Sequence, residues 1–237
     1  MKPHLVSVII PTLNEEKYIE SALKSLINQD YEGKYEIIVA DGMSKDNTVK
    51  IARKYADKVV LIKERGVAKA RNVGVKAAKG DILLFVDADV IVLPNALFEL
   101  LKTFKKNKIV GVGCAKLPLS EKLRDFIVYW FIFRLEKIAL KFNLAYVGGL
   151  FCAYRKNIFE RVGGFDEKLI ACEDYDLSKK ISKYGKIIQL DKPLVLVSTR
   201  RVKKWGFLKT TWKYLKIYLN YVIFRKSIKP KDYKPVR

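Results

Sequence analysis

A chain of 237 residues, 50% of them hydrophobic and 12% aromatic, can bury a sizeable core as one large domain or two small ones, and is too apolar for wholesale disorder. Lys and Arg number 47 against 25 Asp and Glu, a formal charge of +22, which favours polyanions: phosphorylated substrates, anionic membrane surfaces or nucleic acid. Cys114, Cys152 and Cys172 lie far apart and the one histidine is His4, so zinc-ligand spacing is excluded and buried free thiols in a reducing cytosol are expected. No basic-then-apolar leader is read at the N-terminus, because Pro11 and Asn14-Glu15-Glu16 interrupt its apolar run. No apolar stretch reaches the ~20 residues that span a bilayer.

Leu5 to Ile10 is predicted as a buried strand closed by Pro11. Thr12 or Asn14 starts the following helix, with Glu15 and Glu16 in its first turn. Tyr35 to Ala40 is a second strand ending at Asp41-Gly42, and Ser44, Asp46 or Asn47 caps a helix running to Tyr55. Val59 to Ile62 is a third strand. Val67 to Ala78 is a helix stopped before Gly80. Ile82 to Val86 is a continuous apolar run, the pattern of a strand buried on both faces, and it ends in Asp87-Ala88-Asp89. Carboxylates two residues apart point the same way in extended geometry, and hard oxygen ligands at a strand end suit a divalent cation holding a phosphate. A solvated acidic turn is the alternative.

Four strands alternating with three helices imply an α/β fold with right-handed crossovers and a mostly parallel central sheet flanked by helices. Ligands of such sheets sit beyond the carboxyl ends of the strands, where Pro11-Thr12, Asp41 and Asp87-Ala88-Asp89 should converge.

Further on, Pro94 opens a helix through Phe104, Ile109 to Ala115 is a strand, and Ser120 caps a long helix from Glu121 to about Phe142. Tyr146 to Tyr154 reads as loop and strand, with Gly148-Gly149 allowing close backbone approach. Ile158 to Val162 is a short helix ended by Gly163-Gly164. Glu173-Asp174 opens a helix to Tyr184, and strands at 187–190 and 194–198 flank Pro193. Residues 1–202 are read as one domain and 203–237 as an amphipathic basic and aromatic C-terminal extension, with a frayed basic tail from Lys229 to Arg237.

The ordered landmarks Val8-Ile9-Ile10-Pro11-Thr12-Leu13-Asn14-Glu15, Asp41-Gly42 with Ser44, Asp46 and Thr48, Arg65-Gly66, Ala70-Arg71-Asn72 with Gly74, Gly80-Asp81, Phe85-Val86-Asp87-Ala88-Asp89, Gly148-Gly149, Arg155, Gly163-Gly164-Phe165-Asp166 and Glu173-Asp174 resemble those of family 2 glycosyltransferases of the GT-A fold, a Rossmann-like architecture. The resemblance covers about residues 5 to 200. It implies an inverting hexosyltransferase that uses a UDP- or GDP-linked sugar and Mg2+ or Mn2+. By it, Pro11, Thr12, Asn14 and Glu15 border the nucleotide, Asp41 bonds the base, and Arg71 lies near base or phosphates. Asp89 would hold the metal, with Asp87 on ribose or metal, and Asp174 would be the general base. Some relatives add a late histidine ligand, which this chain lacks. Gly148, Gly149 and Glu173 would flank the acceptor, and Arg200 and Arg201 would bind the diphosphate.

Blander assignments compete at three of these places. Arg71 could form a structural ion pair with Asp41 or Asp87, Glu173 and Asp174 could cap a helix, and Arg200-Arg201 could be a solvated stretch or touch lipid. The resemblance also has rivals: a sugar nucleotidyltransferase, which would want a Gly-rich basic loop where Pro-Thr-Leu-Asn-Glu stands, or a nucleic-acid-binding module, which strand-end carboxylates disfavour.

The aromatic stretches Phe126 to Phe133 and Trp205 to Phe224 could pack on each other or on a second chain. Trp and Tyr interleaved with Lys instead suit an anionic bilayer interface. Lys209, Lys213 and Lys216 share one helical face, and Trp205, Leu208, Trp212, Leu215 and Leu219 a neighbouring stripe. A lipid-linked acceptor and peripheral attachment to the inner face of the cell membrane are therefore expected, with no nucleic-acid partner.

Overall fold

The structure is a computed structural model that describes residues 5–106, 108–141 and 147–224. The expected helix end at Phe142, the start of the loop-and-strand stretch at Tyr146 and the tail from Lys229 lie outside the described residues. Four strands, β1 (Val6–Thr12), β2 (Tyr35–Asp41), β3 (Lys58–Leu61) and β4 (Ile82–Val86), are joined by α1 (Ile19–Ile27), α2 (Thr48–Ala52) and α3 (Val67–Lys76). They pair in parallel, with Val8 opposite Ile37 on one side and Leu84 on the other. The second half supplies β5 (Val90–Val92), α4 (Ala96–Phe104), β6 (Ile109–Leu119), α5 (Leu123–Lys141), β7 (Phe151–Arg155), α6 (Lys156–Arg161), α7 (Glu173–Ile181), β8 (Lys186–Ser198), α8 (Arg200–Trp205) and α9 (Phe207–Phe224).

The described strands form one eight-stranded sheet in the order β3-β2-β1-β4-β7-β6-β8-β5. It is mostly parallel; β7 runs antiparallel between β4 and β6, and β5 antiparallel to β8. Alternation along β1 sends Val6, Val8 and Ile10 into the layer under α1 and α4, while Ile9 faces the layer with Val75, Phe159 and Phe165. Both layers are buried, which accounts for the continuous apolar reading of β1, β2 and β4.

Several expected boundaries move, each for a local reason. β1 continues through Pro11 to Thr12, opposite Ala40 and Asp41. Its pairing with β4 stops at Ile9, so the missing N–H of Pro11 leaves no ladder bond unmade there. The first helix starts at Ile19, not at Thr12 or Asn14, because residues 14–16 bond to the β2–α2 loop instead. β8 is one strand running through Pro193, whose partner Ala115 lies at a register irregularity of β6. Trp205 to Phe224 is not one helix. Gly206, at φ +80°, breaks it and leaves Trp205 at the end of α8, where Lys213 Nζ lies 4.2 Å from its ring centre.

Gly80 marks a close approach between the turn before β4 and the start of β1. A Cβ there would lie 2.6 Å from the Leu5 carbonyl oxygen and from the Ser7 nitrogen, both backbone atoms. Its N–H donates to Ser7 Oγ at 2.8 Å. Gly80→Ala is expected to cost ~1–3 kcal/mol as an overpacked site. Calorimetry should show the melting temperature falling by roughly 2–4 °C per kcal/mol, and an unchanged midpoint would contradict this packing.

Candidate active site

The carboxyl ends of β1 and β2 are tied together by side chains. Thr12 Oγ1 donates to Asp41 Oδ2 at 2.8 Å, and Ser44 donates to the same carboxylate through both its N–H (2.8 Å) and its hydroxyl (2.6 Å). Asn14 adopts φ 55°, a left-handed conformation Asn tolerates, and its N–H donates to Ser44 Oγ. The Glu15 N–H reaches Thr48 Oγ1 and the Glu16 N–H reaches Asp46 Oδ2. Asp41 is wholly buried and already accepts three hydrogen bonds, so it shapes this loop pair from beneath.

Arg71 rises from α3 into the space beyond β4. It is 2% exposed, and its guanidinium donates to Asp87 Oδ1 (2.8 Å), Glu173 Oε1 (2.8 Å) and the Gly149 carbonyl (2.9 Å). The Phe165 ring lies beneath it, 5.2 Å from centroid to Cζ. Phe165 is aimed there by the left-handed pair Gly163-Gly164 and by Asn72, whose amide bonds the Phe165 N–H and C=O at 3.0 and 2.9 Å. The Gly149 N–H donates to Asp174 Oδ2 at 2.7 Å. A Cβ on Gly149 would stand 3.0 Å from Arg71 Nη2 and 3.2 Å from Asp174 Oδ2, so any side chain there would push these two groups by a few tenths of an ångström. Gly148 is buried beside it.

A second guanidinium closes the opposite side. Arg200, the first residue of α8, makes a two-pronged pair with Glu15 (Nη2 to Oε1, 3.0 Å) and lies 2.9 Å from Asp89 Oδ2 through Nε. The Tyr18 ring sits 4.8 Å from its Cζ. Arg201 is half-buried and close enough to Asp89 to act on its charge.

Burial dominates the electrostatics. It pushes Asp89 up to about 6, helped by Asp87 and Glu15 and opposed by Arg200. It pushes Glu173 up to about 7, helped by Asp174 and opposed by Arg71. Asp174 is also raised by burial, against the Gly149 N–H and Arg71. For Arg71 burial opposes the charge, but Asp87 and Glu173 outweigh it and hold the pKa up. Burial pushes the Cys114 and Cys152 thiols up to about 12, and all three cysteines are buried and free as expected.

Five carboxylates, Glu15, Asp87, Asp89, Glu173 and Asp174, thus face Arg71, Arg200 and Arg201, an excess of negative charge. Asp87 Oδ2 and Asp89 Oδ1 are the oxygens that these ion pairs leave over. Hard oxygens in an electronegative, partly dry site fit Mg2+ or Mn2+. Among the described residues no third His, Cys, Asp or Glu completes a ligand cluster, so other oxygens must fill the shell.

Most of the expected site residues fall into three groups. Asp87, Arg71, Gly149, Glu173 and Asp174 form one connected set, Glu15, Asp89 and Arg200 another, and Thr12, Asp41 and Asn14, joined through Ser44, a third. Arg71 pairs with Asp87 as the structural alternative held, though not with Asp41. The solvated reading of Arg200 fails, since its side chain is 12% exposed and twice paired. Sequence reasoning missed Tyr18 and the stacking role of Phe165; the Gly-Gly-Phe-Asp motif marked Phe165, whereas nothing marked Tyr18.

The raised Glu173 implies a sign for the pH dependence. Between its ordinary 4.5 and about 7 the folded chain holds a proton there that the unfolded chain releases, so stability falls as pH rises through this window. Glu173→Gln removes that dependence. Denaturant titrations from pH 4.5 to 8 should show the wild type losing on the order of 2 kcal/mol relative to the variant. Parallel pH curves would contradict the raised value.

Comparison with known proteins places this geometry. The family model described as Glycosyl transferase family 2 matches residues 7–163. An uncharacterized glycosyltransferase of Rickettsia prowazekii is 32% identical over 192 residues, 77% of this chain and 60% of that protein. The chain spans 60–62% of the length of this relative and of its Rickettsia typhi and Haemophilus influenzae counterparts. The mannosyltransferase of Pyrobaculum calidifontis, solved with GDP-Man and Mn2+, superposes at a TM-score of 0.71 with 26% identity, over 98% of this chain and 68% of that one. Staphylococcus aureus TarS 1–349, solved with UDP-GlcNAc, shares the fold at a TM-score of 0.67 and 24% identity, over 82% of this chain and 58% of that one. With the family model covering the strand-end carboxylates and the loops that hold them, the chain belongs to glycosyl transferase family 2 and has the GT-A fold.

Proposed function

We propose that this glycosyltransferase is metal-dependent and inverting, moving a sugar from a UDP- or GDP-linked donor to an acceptor hydroxyl or phosphate, with Asp174 as general base. The observation that carries this reading is the shared anchoring of Asp87 and Asp174. Arg71 holds Asp87 through Nη2 and also holds the carbonyl of Gly149, the residue whose own N–H donates to the Asp174 carboxylate at the same cleft. Donor side and base are thereby set on one rigid frame, which positioned catalysis needs.

In the step itself the acceptor hydroxyl gives its proton to Asp174 while its oxygen bonds the anomeric carbon. The bond from that carbon to the diphosphate breaks, and the nucleoside diphosphate leaves with the electron pair. Asp174 Oδ2 and Oδ1 each accept one backbone N–H, from Gly149 and Tyr175, leaving a lone pair on each for the proton. These bonds and Arg71 oppose the burial that raises the pKa of this half-buried carboxylate, and a raised pKa suits a proton acceptor. A bound Mg2+ or Mn2+ would be held by Asp89 with Asp87 and would offset charge on the leaving diphosphate. The Mn2+ in the Pyrobaculum complex supports that choice, and the GDP-Man and UDP-GlcNAc complexes support the donor class. Pro11, Thr12, Asn14, Glu15 and Asp41 frame the base side, and Arg200 and Arg201 are within the mouth to meet the diphosphate.

The nucleotidyltransferase reading is disfavoured by the β1–α1 turn, whose backbone N–H groups donate to Ser44, Asp46 and Thr48 and whose Glu16 carboxylate accepts from Asn47, where a basic glycine-rich cradle would be wanted. Thermal melts with UDP or GDP plus Mn2+ test the donor reading, since a ligand selective for the native state raises the midpoint. Asp174→Asn should keep that stabilisation while losing ~10²–10⁴ of transfer rate. Near-normal turnover would remove Asp174 from the role, and no stabilisation of the wild type by either nucleotide would remove the donor class.

A further inference from the structure

The long helix α5 is built inside out. Its two acids, Asp125 and Glu136, point into the protein and are 5% and 4% exposed, whereas Leu123, Ile127, Trp130, Phe131, Leu135 and Ile138 lie between 45% and 74% exposed. The inward acids are matched: Asp125 accepts from Ser120 Oγ, and Glu136 meets the buried Lys116 amine (3.3 Å) and Gln189 Nε2 (2.8 Å). The outward face therefore presents apolar side chains among which the exposed charges of α5 itself, Arg124, Arg134 and Lys141, are all basic, while exposed Glu121 precedes its first turn and the nearby Asp191 is paired with Lys137 Nζ at 2.6 Å. After the Gly206 break α9 continues the character: Leu208 and Trp212 are 79% and 68% exposed, and its described charges, Lys209, Lys213 and Lys216, are again all cationic. The side chains of Leu215 and Leu219 lie outside the described residues.

We infer that the outer face of α5, with Leu208 and Trp212 of α9, is a docking surface for an anionic lipid bilayer. An exposed apolar surface of this extent marks an interaction site, and the charge around it chooses the partner. A second copy of this chain would bring like charge against like charge. A bilayer with anionic headgroups offers an apolar interior for Trp130 and Phe131 and phosphates for the flanking guanidinium and amine groups. Spanning is excluded for these helices, since no described helix is long and apolar enough to cross a membrane. α5 must lie in the interface plane, with its inward acids anchoring it to β6 and β8.

The surface adjoins the catalytic side. α5 ends at Lys141, and six residues later Val147 donates its N–H to Ser178 Oγ, whose hydroxyl in turn bonds the Asp174 carbonyl. Between α5 and the sheet lies a mostly apolar cleft of about 240 Å³, lined by Leu117, Phe126, Tyr129, Phe133 and Pro193 with Lys116 and Arg134 at its polar wall. Docking here would present the mouth beside Gly149 and Asp174 to the membrane plane. This deepens the transferase reading by making the acceptor a lipid-anchored molecule, and it rests on that reading for that last point only.

The test is flotation of the full chain with vesicles of phosphatidylcholine alone or with phosphatidylglycerol added, comparing wild type with Trp130→Ser/Phe131→Ser. Both positions are 56% or more exposed, so the variant should melt like the wild type. The wild type is expected to bind anionic vesicles preferentially, less at high salt, and the variant ~10-fold or more weakly. Thermal stabilisation by nucleotide and Mn2+ should be equal in both, which separates docking from catalysis. Equal flotation of the two proteins, no preference for anionic vesicles, or a salt-stable dimer of the wild type that ignores vesicles would each overturn the surface.

Discussion

The site depends on one buried cation. Arg71 is held by two carboxylates and a carbonyl from the end of β4, the loop before β7 and the start of α7. Removing a charge of this kind from its partners is expensive, ~3–5 kcal/mol for one broken buried pair, because the partner is left uncompensated. Arginine suits the place better than lysine. Its planar fork serves Asp87, Glu173 and Gly149 in different directions while its face stacks on Phe165. The same fork holds the Gly149 carbonyl, and the N–H of that residue donates to Asp174.

Arg200 does a different job from the other end of the chain. It comes from α8, after the last strand, and reaches back to Glu15 near the first strand and to Asp89 after the fourth. Arg71 is sealed under the site, whereas Arg200 stands at its mouth, beside Asp89. The two guanidiniums pair four of the five carboxylates, two each, and leave Asp174 to the backbone N–H groups of Gly149 and Tyr175.

Much of this was legible in the sequence because burial writes a simple code. A doubly covered parallel strand must be apolar throughout, so Ile82–Val86 could be read directly, and carboxylates that interrupt such a run must have partners. The converging strand ends followed from topology. What escaped was set by contacts distant in sequence. β5 has three residues, too few for a periodic signal, and exists because Ile91 pairs with Leu196 far along the chain. Pro193 looked like a strand break and is absorbed by a register irregularity opposite Ala115. Ser44 and Asp46 are, with Asn47, candidate helix caps in the sequence; Asp46 does accept from the Thr48 N–H, but it also accepts from the Glu16 N–H, and Ser44 serves the β1–α1 turn through Asn14. On α5 the apolar run suggested packing or lipid, yet only the fold revealed that its acids face inward and its aromatics outward.

Crystals grown with Mn2+ and GDP or UDP, measured at the manganese absorption edge, would decide whether the strand-end carboxylates do what their placement suggests. An anomalous peak is expected at the Asp89 carboxylate, with Arg71 still bound to Asp87 and Glu173. A nucleotide bound in the cleft with no manganese at Asp89, or with Arg71 released from both carboxylates, would contradict the division of labour between a fixed internal cation and a metal-binding strand end.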